Sequence, residues 1–304
     1  MNIVVIGTVF VDIKGFPFET YQPTGRNAGM IEFVHGGVGR NVAVDVANIG
    51  VGCTLLSLVD EGGTGEDVIK RLKESNVNTD YVQEDPDGMG MWLAVFDHNG
   101  DLAGSISKRP EMRRVRELLK EKGDEIFKNA DSIIIEFDTD KEINEIVFDY
   151  AKRYRKKVFA LVSNMTIAAQ MRDMLENVDC FVCNLEEAGI LFYEDFEAIE
   201  PENFAAELYD RIEKAQIPAM VVTLGSQGAV YASRDGQMGY YPSIKVKVRD
   251  TTGAGDAFCA GLSAGLTYGK SMRESVEIGT RLAAAVITVT ESTCPKFRPE
   301  EFDL

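Results

Sequence analysis

From about residue 111 to residue 224 the chain alternates charged helical stretches with short apolar runs, and no other feature constrains its fold as tightly. Periodicity predicts helices over 111–129, 141–155, 165–176 and 201–215, and strands over 132–136, 158–162, 180–182 and 219–224. Strands separated by helices of this length form right-handed βαβ units and therefore a parallel sheet. The opening run, 2–8, is apolar and suits a strand of that sheet buried on both faces. A further strand is expected at 53–59, followed by a helix to about residue 75. Shorter strand candidates lie at 30–34, 81–82, 91–96 and 102–107, and together suggest a small separate sheet. Residues 16–29 are rich in Pro, Gly and Asn and read as a loop. The 304 residues contain no linker, repeat or low-complexity segment. One α/β domain, 1–304, is expected, with a small β appendage drawn from about 12–35 and 88–108.

Chemistry concentrates at Asp250-Thr-Thr-Gly253-Ala254-Gly255-Asp256-Ala257-Phe258. An alternating run at 243–248 reads as a strand before it, and a small-residue helix over about 253–268 follows. A Gly-Ala-Gly turn feeding a helix start gathers unbonded amides at the positive helix end, which is a site for a phosphate. Asp256 is a poor ligand for that same anion. It suits a base for a hydroxyl about to attack it. The plainer alternative is a tight turn with a capping aspartate.

A second glycine turn, His35-Gly36-Gly37-Val38-Gly39-Arg40-Asn41, opens a helix whose stripe is Val38, Val42, Val46 and Ile49. Asn41 offers both a donor and an acceptor there. A third cluster, Gly62-Gly63-Thr64-Gly65, reads as packing or as the substrate side of the same pocket. Asp12 follows Gly7 by five residues, where the first strand would end, and Asp138 lies just past the 132–136 strand. Carboxyl ends of parallel strands are where such sheets bind ligands. Asn184 and Glu187 share a helix face and suit a hydrated Mg²⁺, although their spacing is equally that of a capping box. Thr223, Gly225 and Gly228 form a glycine loop between two β-branched runs. Ser271 and Glu274 form a capping box opening the last helix, which runs to about residue 289.

The net charge of −17 argues against a nucleic-acid partner. The apolar start is too short for a membrane span or signal peptide, and a cytoplasmic protein is expected. Cys180 and Cys183 lie three apart on a strand, facing opposite sides, so with Cys53, Cys259 and Cys294 they read as buried thiols. His35 touches the second glycine turn and is either a substrate contact or a loop histidine; His98 sits in a hairpin turn. A dinucleotide-binding oxidoreductase would need Gly-x-Gly-x-x-Gly after the first strand, which Gly7-Thr-Val-Phe-Val-Asp12 does not supply. A sugar sensor without turnover would be expected to have lost Asp256.

The 250–258 run, with Gly36-Gly37-x-Gly39-x-Asn41 over 200 residues before it, closely resembles the two signatures of the ribokinase-like (PfkB) family of carbohydrate and nucleoside kinases. The resemblance covers nearly the whole chain. It implies the three-layer ribokinase-like fold and a small β-sheet lid that closes over the sugar and often carries a homodimer interface. It implies transfer of the γ-phosphoryl group of ATP to a primary hydroxyl, with Asp256 as base and the amides of Gly253, Ala254 and Gly255 as anion hole. Asp12, Gly36, Gly37, Asn41 and Asp138 would face the sugar. Asn184, Thr223, Gly225, Gly228 and Thr252 would face the nucleotide, and Glu187 would serve Mg²⁺. Many members also bind a monovalent cation such as K⁺ near a glycine after the last helix. This chain departs there, reading Thr290-Glu-Ser-Thr-Cys294-Pro295. The run Asn27-Ala-Gly-Met-Ile31 and the glycine turn after it look like the pseudouridine-kinase branch, which implies the 5′-hydroxyl of pseudouridine as acceptor. A pentose or hexose is the alternative.

Overall fold

The computed structural model describes residues 1–196 and 198–304. Its strands are β1 (Asn2–Ile6), β2 (Phe10–Pro17), β3 (Gly29–Gly36), β4 (Gly52–Asp60), β5 (Val77–Asp85), β6 (Gly90–Phe96), β7 (Leu102–Lys108), β8 (Ser132–Glu136), β9 (Lys157–Leu161), β10 (Cys180–Asn184), β11 (Ala219–Thr223), β12 (Gly228–Ser233) and β13 (Met238–Pro242). The α-helices are α1 (Val38–Asn48), α2 (Gly63–Glu74), α3 (Arg113–Lys128), α4 (Lys141–Tyr154), α5 (Met165–Ala168), α6 (Leu185–Phe192), α7 (Pro201–Ala215), α8 (Ala254–Thr267) and α9 (Met272–Val286). No described helix is long and apolar enough to cross a membrane.

Two sheets result. The larger runs β13-β12-β11-β10-β9-β8-β1-β4-β5, parallel from β11 to β5, with β12 and β13 antiparallel at one edge. Alternate residues of its strands feed two cores. Ile3 and Val5 join Val42 of α1, Phe258 of α8 and Leu282 of α9 on one face. Val4 and Ile6 join Phe127 of α3, Val147 of α4 and Phe204 of α7 on the other. This double burial is why the strands read as continuous apolar runs. The two faces separate Cys180 from Cys183, and all five thiols are buried and free.

The smaller sheet runs β3-β2-β6-β7. It departs from expectation in membership. Tyr81 and Val82 belong to β5 at the edge of the large sheet, paired to β4. Their place is taken by β2, which pairs antiparallel with β3 and parallel with β6. Asp12 therefore stands in the middle of a small-sheet strand, not at the end of β1. β2 mixes Phe10, Asp12 and Lys14 on one face, so no clean polar–apolar alternation marks it. The expected strand at 243–248 forms no ladder; β13 ends at Pro242, which has no amide to continue one. The expected helix over 165–176 is the short α5 followed by a 3₁₀ segment, Ala169–Asn177, kinked at Met171.

Candidate active site

The small sheet stands over the carboxyl ends of the parallel strands and encloses a cleft of about 440 Å³. One register row of that sheet, Val34–Asp12–Trp92–Ser107, crosses all four strands and lines the cleft side chain by side chain. The body contributes Thr8 beyond β1, Ser163 and Asn164 beyond β9, Gly36, Gly37 and Asn41 at the start of α1, and Asp250, Thr252 and Asp256 around the start of α8.

Asp256 lies in the first turn of α8, where the first intrahelical bond runs from the Ala257 amide to the Gly253 carbonyl. The amides of Gly255 and Asp256 precede that bond, while the Ala254 amide makes a long 3.3 Å turn contact to Thr251 O. Gly253 holds φ +81°, and a Cβ there would lie 2.1 Å from the Ser292 carbonyl oxygen. A Cβ at Gly255 would point into open space. The Asp250 carboxylate accepts from the Thr252 amide at 2.8 Å, and that bond holds its pKa down.

The Asp256 carboxylate accepts from Asn41 Nδ2 at 2.8 Å. The orientation of the Asn41 amide is fixed on its other side, where Oδ1 accepts from Arg40 Nη1 at 3.0 Å and from the Ser292 hydroxyl at 3.1 Å. Burial pushes the Asp256 carboxyl up to about 6, against the pull of the Asn41 bond and the Arg40 charge. It is thus ionised at neutral pH yet a stronger base than a solvated aspartate. Burial likewise raises Asp12, with Lys14 opposing.

The segment after α9 is clamped onto α1. The Cys294 amide donates to Asp45 Oδ1 at 2.6 Å, and Asn48 Nδ2 donates to the Cys294 carbonyl at 2.6 Å. This is what the departure at 290–295 does: it delivers Ser292 to Asn41. Asp45 is fully buried, and its Oδ2 has no hydrogen-bond partner among the described residues. Burial pushes its carboxyl up to about 8. The folded state therefore holds this proton while the unfolded chain releases it near pH 4, so the site costs stability as pH rises from about 4 to about 8. Across that window the slope from one group reaches about 1.4 kcal/mol per pH unit. Asp45→Asn keeps the acceptor for Cys294 and cannot ionise. Urea unfolding should find it more stable than wild type at pH 8.5, with the difference shrinking toward pH 4.

The other expected site residues fall into four groups. Gly36, Gly37, Asn41, Asp12 and Thr252 line the cleft with Asp256. Asp138 does not line it. Its fully buried carboxylate accepts from Arg109 Nη2, the Ser163 amide and the Ser163 hydroxyl, each at 2.8 Å. Asn184 and Glu187 form the capping box of α6, each side chain accepting from the other's amide at 2.8 Å. Glu187 is half-buried, and burial raises its carboxyl, with the charges of Asp138 and Asp256 adding to the effect. It therefore faces the same end of the sheet as the cleft. Thr223 ends β11 opposite Asn184, and Gly225 and Gly228 bracket the turn into β12. Among the described residues no group of three or more His, Cys, Asp or Glu is arranged to hold a metal ion. His35 donates or accepts at Asp67, 2.9 Å away, and turns from the cleft; Gly65 packs against the Asp60 carbonyl.

Sequence reasoning missed Lys14, Trp92, Ser107, Arg109, Ser163 and Ser292. Lys14 and Trp92 share the face of Asp12, a signal that needed β2 to be recognised as a strand.

A carboxylate of raised basicity, pinned beside a helix start with unbonded amides and an open backbone face, can deprotonate an alcohol while an anion is held opposite it. Comparison with known proteins agrees with this chemistry. Guanosine-inosine kinase of Exiguobacterium acetylicum is 36% identical over 96% of this chain and 96% of its own. Pseudouridine kinase of Escherichia coli is 25% identical over 96% and 92%. The structure of Arabidopsis thaliana ribokinase complexed with ribose and ATP superimposes with a TM-score of 0.87 at 21% identity, over 99% and 97% of the chains. The family model described as "pfkB family carbohydrate kinase" matches residues 1–296. With both glycine turns and the carboxylate meeting in one cleft, the chain belongs to the pfkB family of carbohydrate kinases and is a kinase of a sugar or nucleoside.

Proposed function

We propose that this kinase transfers the γ-phosphoryl group of ATP to the 5′-hydroxyl of a nucleoside, with guanosine and inosine the preferred acceptors. The observation that carries the reaction is the Asp256 carboxylate, held by Asn41 one residue after the open backbone face of Gly255. The acceptor class rests on the 36% identical guanosine-inosine kinase, together with a cleft whose lid offers an indole and further donors. The 25% identical relative supports pseudouridine as the second reading.

In this reading Asp12 and the Gly36-Gly37 turn hold the ribose, and Asn41 keeps the Asp256 carboxylate pointed at the 5′-hydroxyl. Asp256 accepts the hydroxyl proton late, as the bond to phosphorus forms and acidifies the alcohol. The amides of the 253–256 turn, those of Gly255 and Asp256 being unbonded among the described residues, receive charge on the transferring group. Thr223, Gly225, Gly228 and Thr252 lie along the nucleotide. The exposed apolar pair Ile244 and Val246, beside Ala284 and Ala285 of α9, offers a groove for its purine. Glu187 suits a Mg²⁺ that keeps most of its water: it is one half-buried carboxylate, and among the described residues no group of three or more His, Cys, Asp or Glu is arranged to hold a metal ion. Bound there with the phosphates, the ion would offset their charge.

The test is ADP release from Mg·ATP against guanosine, inosine, adenosine, pseudouridine, uridine, ribose and fructose. Turnover on guanosine and inosine supports the proposal. Turnover on pseudouridine alone selects the second reading, and turnover on free sugars alone removes the nucleoside.

The lid's outer face supports a homodimer. Phe33, Ile13, Leu93 and Ile106 form the register row adjacent to the cleft row, and Phe33, Leu93 and Ile106 are 68%, 44% and 71% exposed. An apolar band of this kind on a lid marks a contact surface. Light scattering should give a dimer for wild type and a monomer for the double variant Phe33→Glu/Ile106→Glu. A monomeric wild type at micromolar concentration would rule this pairing out.

A further inference from the structure

We propose that Arg109 is a specificity-determining residue, which reads the O6 and N7 acceptors of a 6-oxopurine and so sets the preference for guanosine and inosine over adenosine. The inference rests on the nucleoside-kinase reading above and names the side chain that selects the base.

Three observations place Arg109 in that role. First, it stands one residue beyond Lys108, which pairs with Met91 at the end of β7. Of the groups assigned to the ribose, Asp12 lies in β2 and Gly36 ends β3, and Gly37 and Asn41 follow directly at the start of α1, on the β3–β2 side of the cleft. Trp92 and Ser107 lie on the β6–β7 side, one and two strand spacings from Asp12, or roughly 5–10 Å, and Arg109 follows two residues beyond Ser107 on the same side. A ribose held at the first side directs its base toward the second. The Trp92 indole supplies an apolar surface there on which a base can stack.

Second, Arg109 is held by one corner only. Its Nη2 donates to Asp138 Oδ2 at 2.8 Å and lies 3.3 Å from the Ser163 hydroxyl and 3.4 Å from the Asp138 carbonyl. Among the described residues its Nε and Nη1 have no hydrogen-bond partner, and the side chain remains 31% exposed in the wall of the cleft. Asp138 and Ser163 thus fix the plane of the guanidinium, and the remaining N–H groups are left for a ligand.

Third, the chemistry is one-sided. A guanidinium has donors and no acceptor. Guanine and hypoxanthine share acceptors at O6 and N7, the pair that arginine reads bidentately on guanine elsewhere. Adenine presents an amino donor at position 6, so Arg109 would face donor with donor and leave N–H groups unpaired on binding.

The experiment compares kcat/KM for inosine, guanosine, adenosine and 7-deazaguanosine, in wild type and in Arg109→Lys. Lysine keeps a cation beside the buried Asp138 and loses the planar fork. Wild type should disfavour adenosine against inosine, and 7-deazaguanosine against guanosine, by roughly tenfold or more. In Arg109→Lys both ratios should shrink by roughly tenfold. A purely structural role would lower kcat/KM for all four nucleosides together and leave the ratios alone, which would overturn the inference. The 7-deaza comparison needs no variant: equal rates on guanosine and its 7-deaza analogue in wild type would also overturn it. Turnover on pseudouridine alone overturns the inference while leaving a nucleoside kinase. No turnover on any nucleoside, with turnover on a free sugar, overturns both readings.

Discussion

Replacing Asp256, the proposed base, by Asn should lower kcat by roughly a hundred- to ten-thousandfold while leaving acceptor and ATP binding within a fewfold of wild type. The side chain is isosteric. An amide oxygen can still accept from Asn41 Nδ2, which donates to Asp256 Oδ2 at 2.8 Å. What is lost is the capacity to take the hydroxyl proton as the bond to phosphorus forms. Stability should not fall, because burial already pushes the Asp256 carboxyl up to about 6, so the fold disfavours its charge at neutral pH. The pH profile gives an independent reading. Only the carboxylate is a base, so wild-type kcat/KM should decline as pH drops through about 6, and Asp256→Asn should show no limb there. Isothermal titration of both ligands and a single-turnover assay make the comparison. A variant retaining more than a tenth of wild-type kcat would remove Asp256 from proton transfer.

How much of this was legible beforehand divides along a physical line. Residues whose role is set by local backbone chemistry were readable: Gly253 to Asp256 at a helix start, Gly36-Gly37 before α1, the Ser271 and Glu274 capping box. Each is a short-range solution to unbonded amides, and its signature lies within a few residues. The parallel sheet was readable because double burial leaves uninterrupted apolar runs. The lid was half hidden. β2 mixes Phe10, Asp12, Lys14 and Phe16 on its cleft face, against Val11, Ile13, Gly15 and Pro17 on the other, so no clean polar–apolar period marks it, and Asp12 reads as the end of β1 although it lies in β2 and lines the cleft. Residues whose role depends on long-range contact were invisible. Ser292 reaches Asn41 across 251 positions of sequence, and Arg109 reaches Asp138 across 29, through pairings that no local pattern encodes. Asp138 shows the converse: its position past β8 was read correctly, but its carboxylate is taken up by Arg109 and Ser163, so it acts behind the cleft wall.

The two glycines of the turn proposed to bind phosphate should respond in opposite ways to one added methyl group. Gly253→Ala places a Cβ 2.1 Å from the Ser292 carbonyl on a backbone with φ +81°. The left-handed conformation costs about 1–2 kcal/mol for a residue with a Cβ. The clash adds about 1–3 kcal/mol, so chemical denaturation should show a loss of about 2–5 kcal/mol. Activity should fall as well, since relief of the clash moves either the anion-binding turn or the Ser292 segment that orients Asn41. Gly255→Ala meets nothing within 4 Å, has no positive φ, and lies inside α8. Alanine there is the better helix former by about 0.5–1 kcal/mol, so the variant should be as stable as wild type or slightly more so. Yet if the open space before Gly255 is where phosphate oxygens approach the amides, its methyl group fills that space. The KM for ATP should then rise and kcat should fall, together by roughly a hundredfold or more in kcat/KM, since one oxyanion donor alone is worth that much. A stable, inactive Gly255→Ala beside an unstable Gly253→Ala separates the glycine kept for the fold from the glycine kept for the phosphate. A fully active Gly255→Ala would mean that the phosphate does not approach this face of the turn.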